Sequence, residues 1–413
     1  MKHLARAAIW LSLLIALAGC SWFSWIPGLG GDDDDDDVER EPAELVRFDE
    51  EVRVKQLWSR SVGEGLGKKY LRLRPIVLAD RVYAADGYGA VVALDRFDGK
   101  RIWEVEVDPL ERGMLSSFNF LDRRDPSFVS GGIGAGSGMI FIGTTTGFVV
   151  ALAAADGAEV WRANLDGEVL STPVTGEGLV YVQTIDGRLV ALEEETGEQR
   201  WSFNSQVPVL TLRGTSSPVY SGGVVITGFA TGKVVAVRAS NGEPVWEHRL
   251  MLPEGRSELD RIVDVDGRPV VVSGVVYAAA FQGRVKALRQ QDGSPVWERD
   301  ISSSLELAEG YGQVYVINEL DEITAIDRDT AEIAWSVDAF YKRKLSPPVA
   351  FSNYLLVADD DGFLHVLAQS DGRMMGRRKV DGKGVRSPIV ISDSVVFVLG
   401  NSGKLAAYEI QVE

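Results

Sequence analysis

One short stretch of the sequence contains side chains suited to binding a protein partner. Leu210 and Leu212 are separated by one residue, so on an extended segment both point the same way, and Arg213 follows them with a planar fork of N–H donors. Leucine and arginine side chains of this kind are typical anchors at the centre of a protein interface. The alternative is that both leucines lie in the core, while Arg213 pairs with Asp264 or Asp266 only to hold two loops together.

The residue types that most often perform catalysis are scarce. The chain has one Cys and three His, which excludes an internal disulfide and the usual zinc frameworks. His248 and His365 stand apart from any second His or carboxylate cluster, which favours structural roles. Glycines in residues 131–136 are similar to a dinucleotide-binding loop, but residues 139–142 indicate a strand rather than the helix such a loop needs. We predict no catalytic residue, metal or cofactor, and the net charge of −17 disfavours nucleic acid as a partner.

The N-terminus predicts export and attachment to lipid. Lys2 and Arg6 accompany an apolar run too short to span a bilayer comfortably, and small residues lead into Cys20, the only cysteine. This arrangement resembles a bacterial lipobox, in which the thiol is acylated and becomes the first residue of the mature chain. We predict a signal peptide over residues 1–19 and lipidation of Cys20; the alternative is a cleaved signal with an incidental cysteine. Ser21 resembles the residue of lipoproteins sent to the outer membrane, since Asp there commonly retains them at the inner one.

An acidic stretch separates the predicted lipid anchor from the rest of the chain. Residues 32–37 are six consecutive aspartates, whose mutual repulsion prevents packing. We predict a flexible tether over residues 20–50 and a folded body over residues 51–413. A calcium site is the alternative for the aspartates, but it would require ligands spaced along a turn.

The body contains one repeat in eight copies. A Gly stands four residues before an Ala-type position in seven copies, and Asp321 takes its place in the other. Gly supplies the positive φ that a tight hairpin turn requires. The Ala-type positions, which we predict to lie in the third strand of each sheet, are Ala93, Ala151, Ala191, Ala236, Ala287, Ala325, Val366 and Ala407.

A second series places Trp four residues after a turn residue. Six copies have this residue, at Trp103, Trp161, Trp201, Trp246, Trp297 and Trp335. The seventh copy has Gly376 instead, and the eighth ends before this strand. Because a four-stranded sheet cannot bury both faces alone, we expect each indole to fill the space between neighbouring sheets. A further strand, often beginning with Pro, precedes each copy, and Pro suits an edge strand beside a central channel.

These patterns predict an all-β protein, an eight-bladed β-propeller with four antiparallel strands per blade. The strand missing from the last blade has a candidate in residues 52–58, which end in Trp58. We therefore predict that the ring is closed by pairing of this N-terminal strand with the C-terminal blade.

Two families carry a repeat of this kind. Quinoprotein dehydrogenases have similar turns, but the constellation that holds their quinone and calcium is not visible here. The second family is the BamB-like outer-membrane assembly lipoproteins, which the chain resembles in its signal, tether and all eight repeats. Two stretches outside the repeat make this resemblance specific. Residues 210–214 are similar to the family's Leu-x-Leu-Arg-Gly loop, and residues 257–266 are similar to its Glu-[Ile/Leu]-Asp-Arg followed by Asp-Val-Asp.

The resemblance implies a scaffold lipoprotein without enzymatic activity, on the periplasmic face of the outer membrane. It also implies that Leu210, Leu212, Arg213, Asp264 and Asp266 dock the periplasmic domains of BamA, the barrel insertase of the β-barrel assembly machinery.

Three further points stay open at the level of sequence. Nascent outer-membrane proteins are an additional expected partner, bound as strands added to exposed blade edges. A ligand-binding or sensor propeller of the cell envelope is the alternative function. Residues 108–128 form a connection too long for a turn, which is either a second contact surface or a packed loop.

Overall fold

Each sequence repeat forms one antiparallel sheet of four strands in the computed structural model, which describes residues 41–67, 70–107, 128–208, 210, 214–257 and 259–412. Eight such sheets are present in this part of the chain, which confirms the predicted eight-bladed propeller. Blades one to four consist of β2 (Ile76–Leu78), β3 (Arg81–Ala85), β4 (Ala90–Asp95) and β5 (Arg101–Glu106); β6 (Val129–Gly136), β7 (Met139–Thr144), β8 (Phe148–Ala153) and β9 (Glu159–Asn164); β10 (Val174–Gly176), β11 (Leu179–Gln183), β12 (Arg188–Glu193) and β13 (Gln199–Asn204); and β14 (Val219–Ser221), β15 (Val224–Phe229), β16 (Lys233–Arg238) and β17 (Pro244–Arg249).

The remaining blades repeat this arrangement. Blades five to eight consist of β18 (Val270–Val272), β19 (Val275–Ala279), β20 (Val285–Arg289) and β21 (Pro295–Arg299); β22 (Ala308–Gly310), β23 (Gln313–Ile317), β24 (Ile323–Asp327) and β25 (Ile333–Val337); β26 (Val349–Phe351), β27 (Tyr354–Ala358), β28 (Phe363–Ala368) and β29 (Met374–Lys379); and β30 (Val390–Ser392), β31 (Val395–Leu399), β32 (Lys404–Val412) and β1 (Val52–Ser61). Among the described residues, no helix is long and apolar enough to cross a membrane.

The first strand of each blade lies innermost and faces the central channel. These inner strands contact one another in succession from blade one to blade seven, and β2 of blade one also contacts β30 of blade eight. Prolines directly precede most of them, as the sequence predicts for strands with one unpaired edge. These prolines are Pro75, Pro173, Pro218, Pro269 and Pro348.

The tryptophans join neighbouring blades. Trp201 of β13 lies opposite Ala191 of β12, and its indole Nε1 donates a hydrogen bond of 2.8 Å to the carbonyl oxygen of Ala239 in blade four. The ring packs so closely on the turn of blade four that a Cβ on Gly242 would lie 2.5 Å from it. Replacing a core Trp of this kind by Ala typically costs on the order of 3 to 5 kcal/mol of stability.

The same indole hydrogen bond occurs at seven of the eight blade junctions in the described structure. Its donors and acceptors are Trp58 and Arg96, Trp103 and Ala154, Trp161 and Glu194, Trp201 and Ala239, Trp246 and Gln290, Trp297 and Arg328, and Trp335 and Gln369. The buried core is correspondingly divided into layers between adjacent blades, and only the layers on the two sides of blade one merge into a single cluster among the described residues.

The predicted closing strand is β1, which pairs antiparallel with β32 from Val52 opposite Val412 to Ser61 opposite Lys404. Trp58 takes the place in blade eight that the other tryptophans take in theirs, opposite Ala407. The junction between blades seven and eight lacks a tryptophan because β1 approaches too closely. A Cβ on Gly376 would lie 2.5 Å from the carbonyl oxygen of Val52.

The chain before β1 lies against blade seven. Ala43 donates its backbone N–H to the carbonyl oxygen of Tyr341 at 2.9 Å and accepts a 2.8 Å hydrogen bond from Arg343. Arg377 of β29 donates to the carbonyl oxygen of Val46 at 3.0 Å. We call residues 43–51 the N-terminal strap. The sequence assigns most of this strap to the tether, and residues 20–40 of the proposed tether lie outside the described residues.

Candidate functional site

Both predicted binding stretches lie at one end of the propeller. In a sheet of four antiparallel strands, the turn between the second and third strands and the connection from the outer strand to the next blade are at the same end. We call this the connection end. Residues 205–218 connect blade three to blade four, and residues 250–269 connect blade four to blade five. The two stretches are therefore neighbours around the ring.

The two connections touch each other. Gly214 lies against the carboxyl group of Asp266, so closely that a Cβ at position 214 would be 2.5 Å from the carboxyl carbon. The hydroxyl of Ser216 donates a 3.0 Å hydrogen bond to the carbonyl oxygen of Gly267. Glycine is needed at position 214 because any side chain would displace the carboxyl group.

The structure describes only some of the predicted docking residues. Leu210 is 43% exposed, so it does not belong to the core. Leu212 and Arg213 lie outside the described residues, as do residues 108–127 of the long connection in blade one. The pairing of Arg213 with Asp264 or Asp266 therefore stays a prediction.

Backbone hydrogen bonds join the segment around Asp264 to blades four and five. The side chain of Asp264 is buried, with 1% exposure, and its carbonyl oxygen accepts a 2.8 Å hydrogen bond from the N–H of Phe281 in blade five. The next residue, Val265, donates to the carbonyl oxygen of Phe229 in blade four at 3.3 Å. This segment thus crosses the junction of blades four and five, and the fold fixes the position of the Asp264 carboxylate.

The carboxyl group of Asp266 has a raised pKa. One carboxylate oxygen, Oδ1, is fully enclosed and has no hydrogen-bond partner among the described residues. Burial raises the pKa of Asp266 to about 7, against the opposing effects of the Arg72 guanidinium and the Asp264 carboxyl group. Asp266 also lines a cavity of about 330 Å³ at the mouth of the central channel.

Other exposed apolar side chains lie on the same two connections as Leu210 and Asp266. Val207 is 41% exposed, and Leu252 and Leu259 are 63% and 67% exposed. Leu259 lies in a turn formed by reciprocal hydrogen bonds between Ser257 and Asp260. Sequence reasoning missed these three apolar residues, although their position in connections longer than a turn is a usable signal.

The two histidines that the sequence singles out, His248 and His365, lie at least partly buried within the blades. His365 is fully buried, and its Nε2 lies 2.9 Å from Asp359 Oδ2, which also accepts hydrogen bonds from Arg343. Burial lowers the pKa of His365 despite the nearby carboxylate, so the ring is neutral in a network that joins blades six and seven. Burial likewise lowers the pKa of His248. Within the described residues, no group of three or more His, Cys, Asp or Glu side chains is arranged to hold a metal ion.

Comparison with known proteins gives a consistent result along the whole chain. The family model described as outer membrane protein assembly factor BamB matches residues 41–113 and 107–337. The outer membrane protein assembly factor BamB of Pseudomonas aeruginosa strain PAO1 is 41% identical over 410 residues, covering 99% of this chain and 99% of that protein.

Solved structures show the same fold. The crystal structure of BamB from Moraxella catarrhalis matches with a TM-score of 0.75 and 25% identity, over 86% of this chain and all of that chain. Quinohemoprotein alcohol dehydrogenase from Comamonas testosteroni matches with a TM-score of 0.66 but only 15% identity, over 86% of this chain and 76% of that chain. The second likeness is one of fold alone.

We expect Asp266→Asn to change how stability depends on pH. The folded chain keeps the Asp266 proton up to about pH 7, whereas the unfolded chain releases it near 3.8, so the wild type loses stability as pH rises between these values. The Asn variant has no such proton to release. Its free energy of unfolding relative to wild type should rise up to about pH 7 and stay level above it. Urea unfolding at a series of pH values measures this difference.

Asp260→Asn is the matched control. Hydrogen bonds from the N–H and hydroxyl of Ser257 lower the pKa of Asp260, so this residue is ionised in both folded and unfolded chains near neutral pH. Its effect on stability should be the same at pH values from about 5 to 8. Equal pH dependence of the two variants would contradict the assignment of a raised pKa to Asp266.

Proposed function

Because this chain belongs to the family of the outer membrane protein assembly factor BamB, we propose that it is a non-enzymatic scaffold for the assembly of outer-membrane proteins. Its partner in this proposal is a BamA-like barrel insertase, whose periplasmic domains dock on the connection end at blades three to five. The observation that carries the proposal is the meeting of the two predicted stretches, where exposed Leu210 lies on the connection that packs against Asp266.

The composition of this surface supports a protein partner. Val207, Leu210, Leu252 and Leu259 supply exposed apolar area, and the backbone holds the carboxyl groups of buried Asp264 and half-buried Asp266 in the same two connections. Apolar anchors next to pre-positioned polar groups concentrate binding energy in a few residues, with little ordering cost on binding. Leu212 and Arg213 complete the docking set in this proposal.

We expect Leu210→Ala and Asp264→Ala each to weaken binding to the purified periplasmic region of the insertase by about 1 to 3 kcal/mol, roughly 5- to 150-fold in Kd. Residues 42–413 form one compact unit and serve as the binding protein in a titration calorimetry experiment. Leu320→Ala is the control, because Leu320 is 48% exposed in a turn of blade six at the same end. Melting curves verify that each variant is folded.

Two outcomes would count against the docking proposal. If Leu320→Ala weakens binding as much as Leu210→Ala, the site is not at blades three to five. If residues 42–413 do not bind the insertase at high micromolar concentration, a ligand-binding or sensor propeller becomes the better interpretation.

We also propose that the protein is attached to the outer membrane by lipid on Cys20 and faces the periplasm. The proposal divides the chain into a signal peptide over residues 1–19, a tether over residues 20–50, whose last part belongs to the strap that lies against blade seven, and the propeller body over residues 51–413. It rests on the lipobox-like sequence before Cys20 and on the family to which the chain belongs. Labelling with radioactive palmitate should mark the wild type but not Cys20→Ser, and equal labelling of both would contradict acylation at this residue.

Nascent outer-membrane proteins are a second proposed partner, bound at the outer edges of blades. In five blades an exposed aliphatic residue stands directly before the outer-strand tryptophan, beside unpaired backbone groups. These residues are Leu57, Ile102, Val160, Val245 and Val296. Nascent barrel proteins consist of strands with alternating apolar side chains, which fit such an edge.

The edge of blade seven indicates how an extended segment is held. The N–H of Glu51 in the N-terminal strap donates a 2.8 Å hydrogen bond to the carbonyl oxygen of Met375, directly before Gly376. Arg373 of blade seven holds the Glu51 carboxylate with two hydrogen bonds of 3.0 and 3.1 Å. The chain thus occupies this edge with its own strap, and a substrate strand would use the open edges of other blades.

Photo-crosslinking to a nascent porin can test binding at the edges. We expect crosslinks from a photoreactive residue at Val160, Val245 or Val296, and none from Met375, because the strap covers it. A photoreactive residue at Phe97 is the control for nonspecific crosslinking, since Phe97 is 67% exposed in a turn at the opposite end of the propeller. Crosslinks from Phe97 and Met375 as strong as those from the open edges would refute selective edge binding.

A further inference from the structure

The central channel narrows at a collar of charged side chains. Arg74, Arg268 and Glu306 each stand two residues before the inner strands of blades one, five and six. Arg74 and Glu306 line both the 330 Å³ cavity at the connection end and a second cavity of about 630 Å³ further along the channel. They therefore separate the two cavities, and Arg268 lines only the larger one. We call the larger cavity the channel chamber.

The charges of this collar do not balance. Arg74 and Glu306 form an ion pair in the channel. Glu309, which also lines the chamber, is paired with Arg328 at 2.8 Å. Arg268 has no ion pair or hydrogen bond with any other residue in the described part of the chain. One guanidinium is thus left over in the chamber of a protein whose net charge is −17.

The surroundings make this unpaired guanidinium costly. Burial lowers the pKa of Arg268, and the adjacent Arg74 lowers it further, with Glu306 opposing both. The backbone on both sides of Arg268 is tightly constrained, so its Cα cannot shift away from the chamber. A Cβ on Gly267 would lie 2.4 Å from the carbonyl oxygen of Leu305, and Pro269 restricts the residue before it.

Apart from the charged residues, the side chains that line the chamber are mostly aliphatic, and the backbone of the inner strands supplies polar groups between them. Residues from the inner strands and their neighbours line it, among them Ile76, Val219, Val270, Val349 and Ile389. A guanidinium in such a concavity can form charge-assisted hydrogen bonds to an anion. Volumes of several hundred Å³ are typical of sites for small molecules.

We propose that the channel chamber binds a small soluble oxyanion, a carboxylate or phosphate, through the guanidinium of Arg268. The planar fork of Arg268 matches the two oxygens of such a group, and the anion offsets repulsion between Arg268 and Arg74. Glu306 stays on Arg74 and competes with the ligand for the same positive region. The proposal does not rest on the docking surface proposed above, because none of the described docking residues lines the chamber.

Titration calorimetry with citrate and with phosphate, at constant ionic strength, tests the site on residues 42–413. We expect binding of at least one anion by the wild type, and roughly tenfold weaker binding by Arg268→Gln, since a hydrogen bond to a charged group is lost. Glu306→Gln should bind roughly tenfold more tightly, because it removes the competing carboxylate. Arg238→Gln is the matched control, with an exposed arginine outside the channel.

The results separate the possible outcomes. Tighter binding by Glu306→Gln, with unchanged binding by Arg238→Gln, supports the site even if Arg268→Gln fails to fold. The proposal is overturned if neither anion binds the wild type or Glu306→Gln, or if a folded Arg268→Gln binds as tightly as the wild type.

Discussion

The structure depends on the inability of a four-stranded blade to bury both of its faces. Each blade must be covered by the next, and the outer-strand tryptophan makes that cover specific, because its ring packs on the neighbouring turn while its Nε1 donates to a neighbouring carbonyl group. A row of blades joined in this way still leaves two uncovered faces at its ends. Pairing of β1 with β32 removes them, and Trp58 then supplies the junction between blades eight and one. Closure of the ring is therefore a condition for burying the core and not an addition to it.

A closed ring leaves little freedom within the blades, so variation is confined to the segments between them. Inner strands are mostly three residues long, and the turns next to the tryptophans are packed against indole rings. The connections from one blade to the next have no such constraint. Those around blades three to five are long, carry exposed leucines and meet at Gly214 and Asp266. All of these connections lie at one end of the propeller. The rigid blades therefore hold two irregular connections in fixed positions, where one partner can bind both.

The sequence predicts the fold well because the repeat encodes the packing directly. The Gly, Ala and Trp series each identify a position that recurs in every blade, and the structure confirms the third strands, the inner strands and the closing strand. The exposure of Leu252 and Leu259 does not follow from the repeat, since periodic patterns carry no information about irregular connections, and only the length of their connection points to it. The collar of Arg74, Arg268 and Glu306 was also beyond sequence reasoning. Its members are far apart in the chain and meet only because equivalent positions of different blades face one channel.

Departures from the repeat indicate where the chain does more than pack. Gly376 replaces a tryptophan, and at that junction β1 approaches so closely that no side chain fits. The strap that precedes β1 then covers the outer edge of blade seven. Near the channel, two of the residues that precede prolines are arginines where other blades have Thr172 or Ser217. A repeat that served only stability would gain nothing from a half-buried arginine without an ion pair, because partial desolvation of a charge is costly. Deviations of this kind are therefore better guides to binding in a propeller than the residues that keep the pattern.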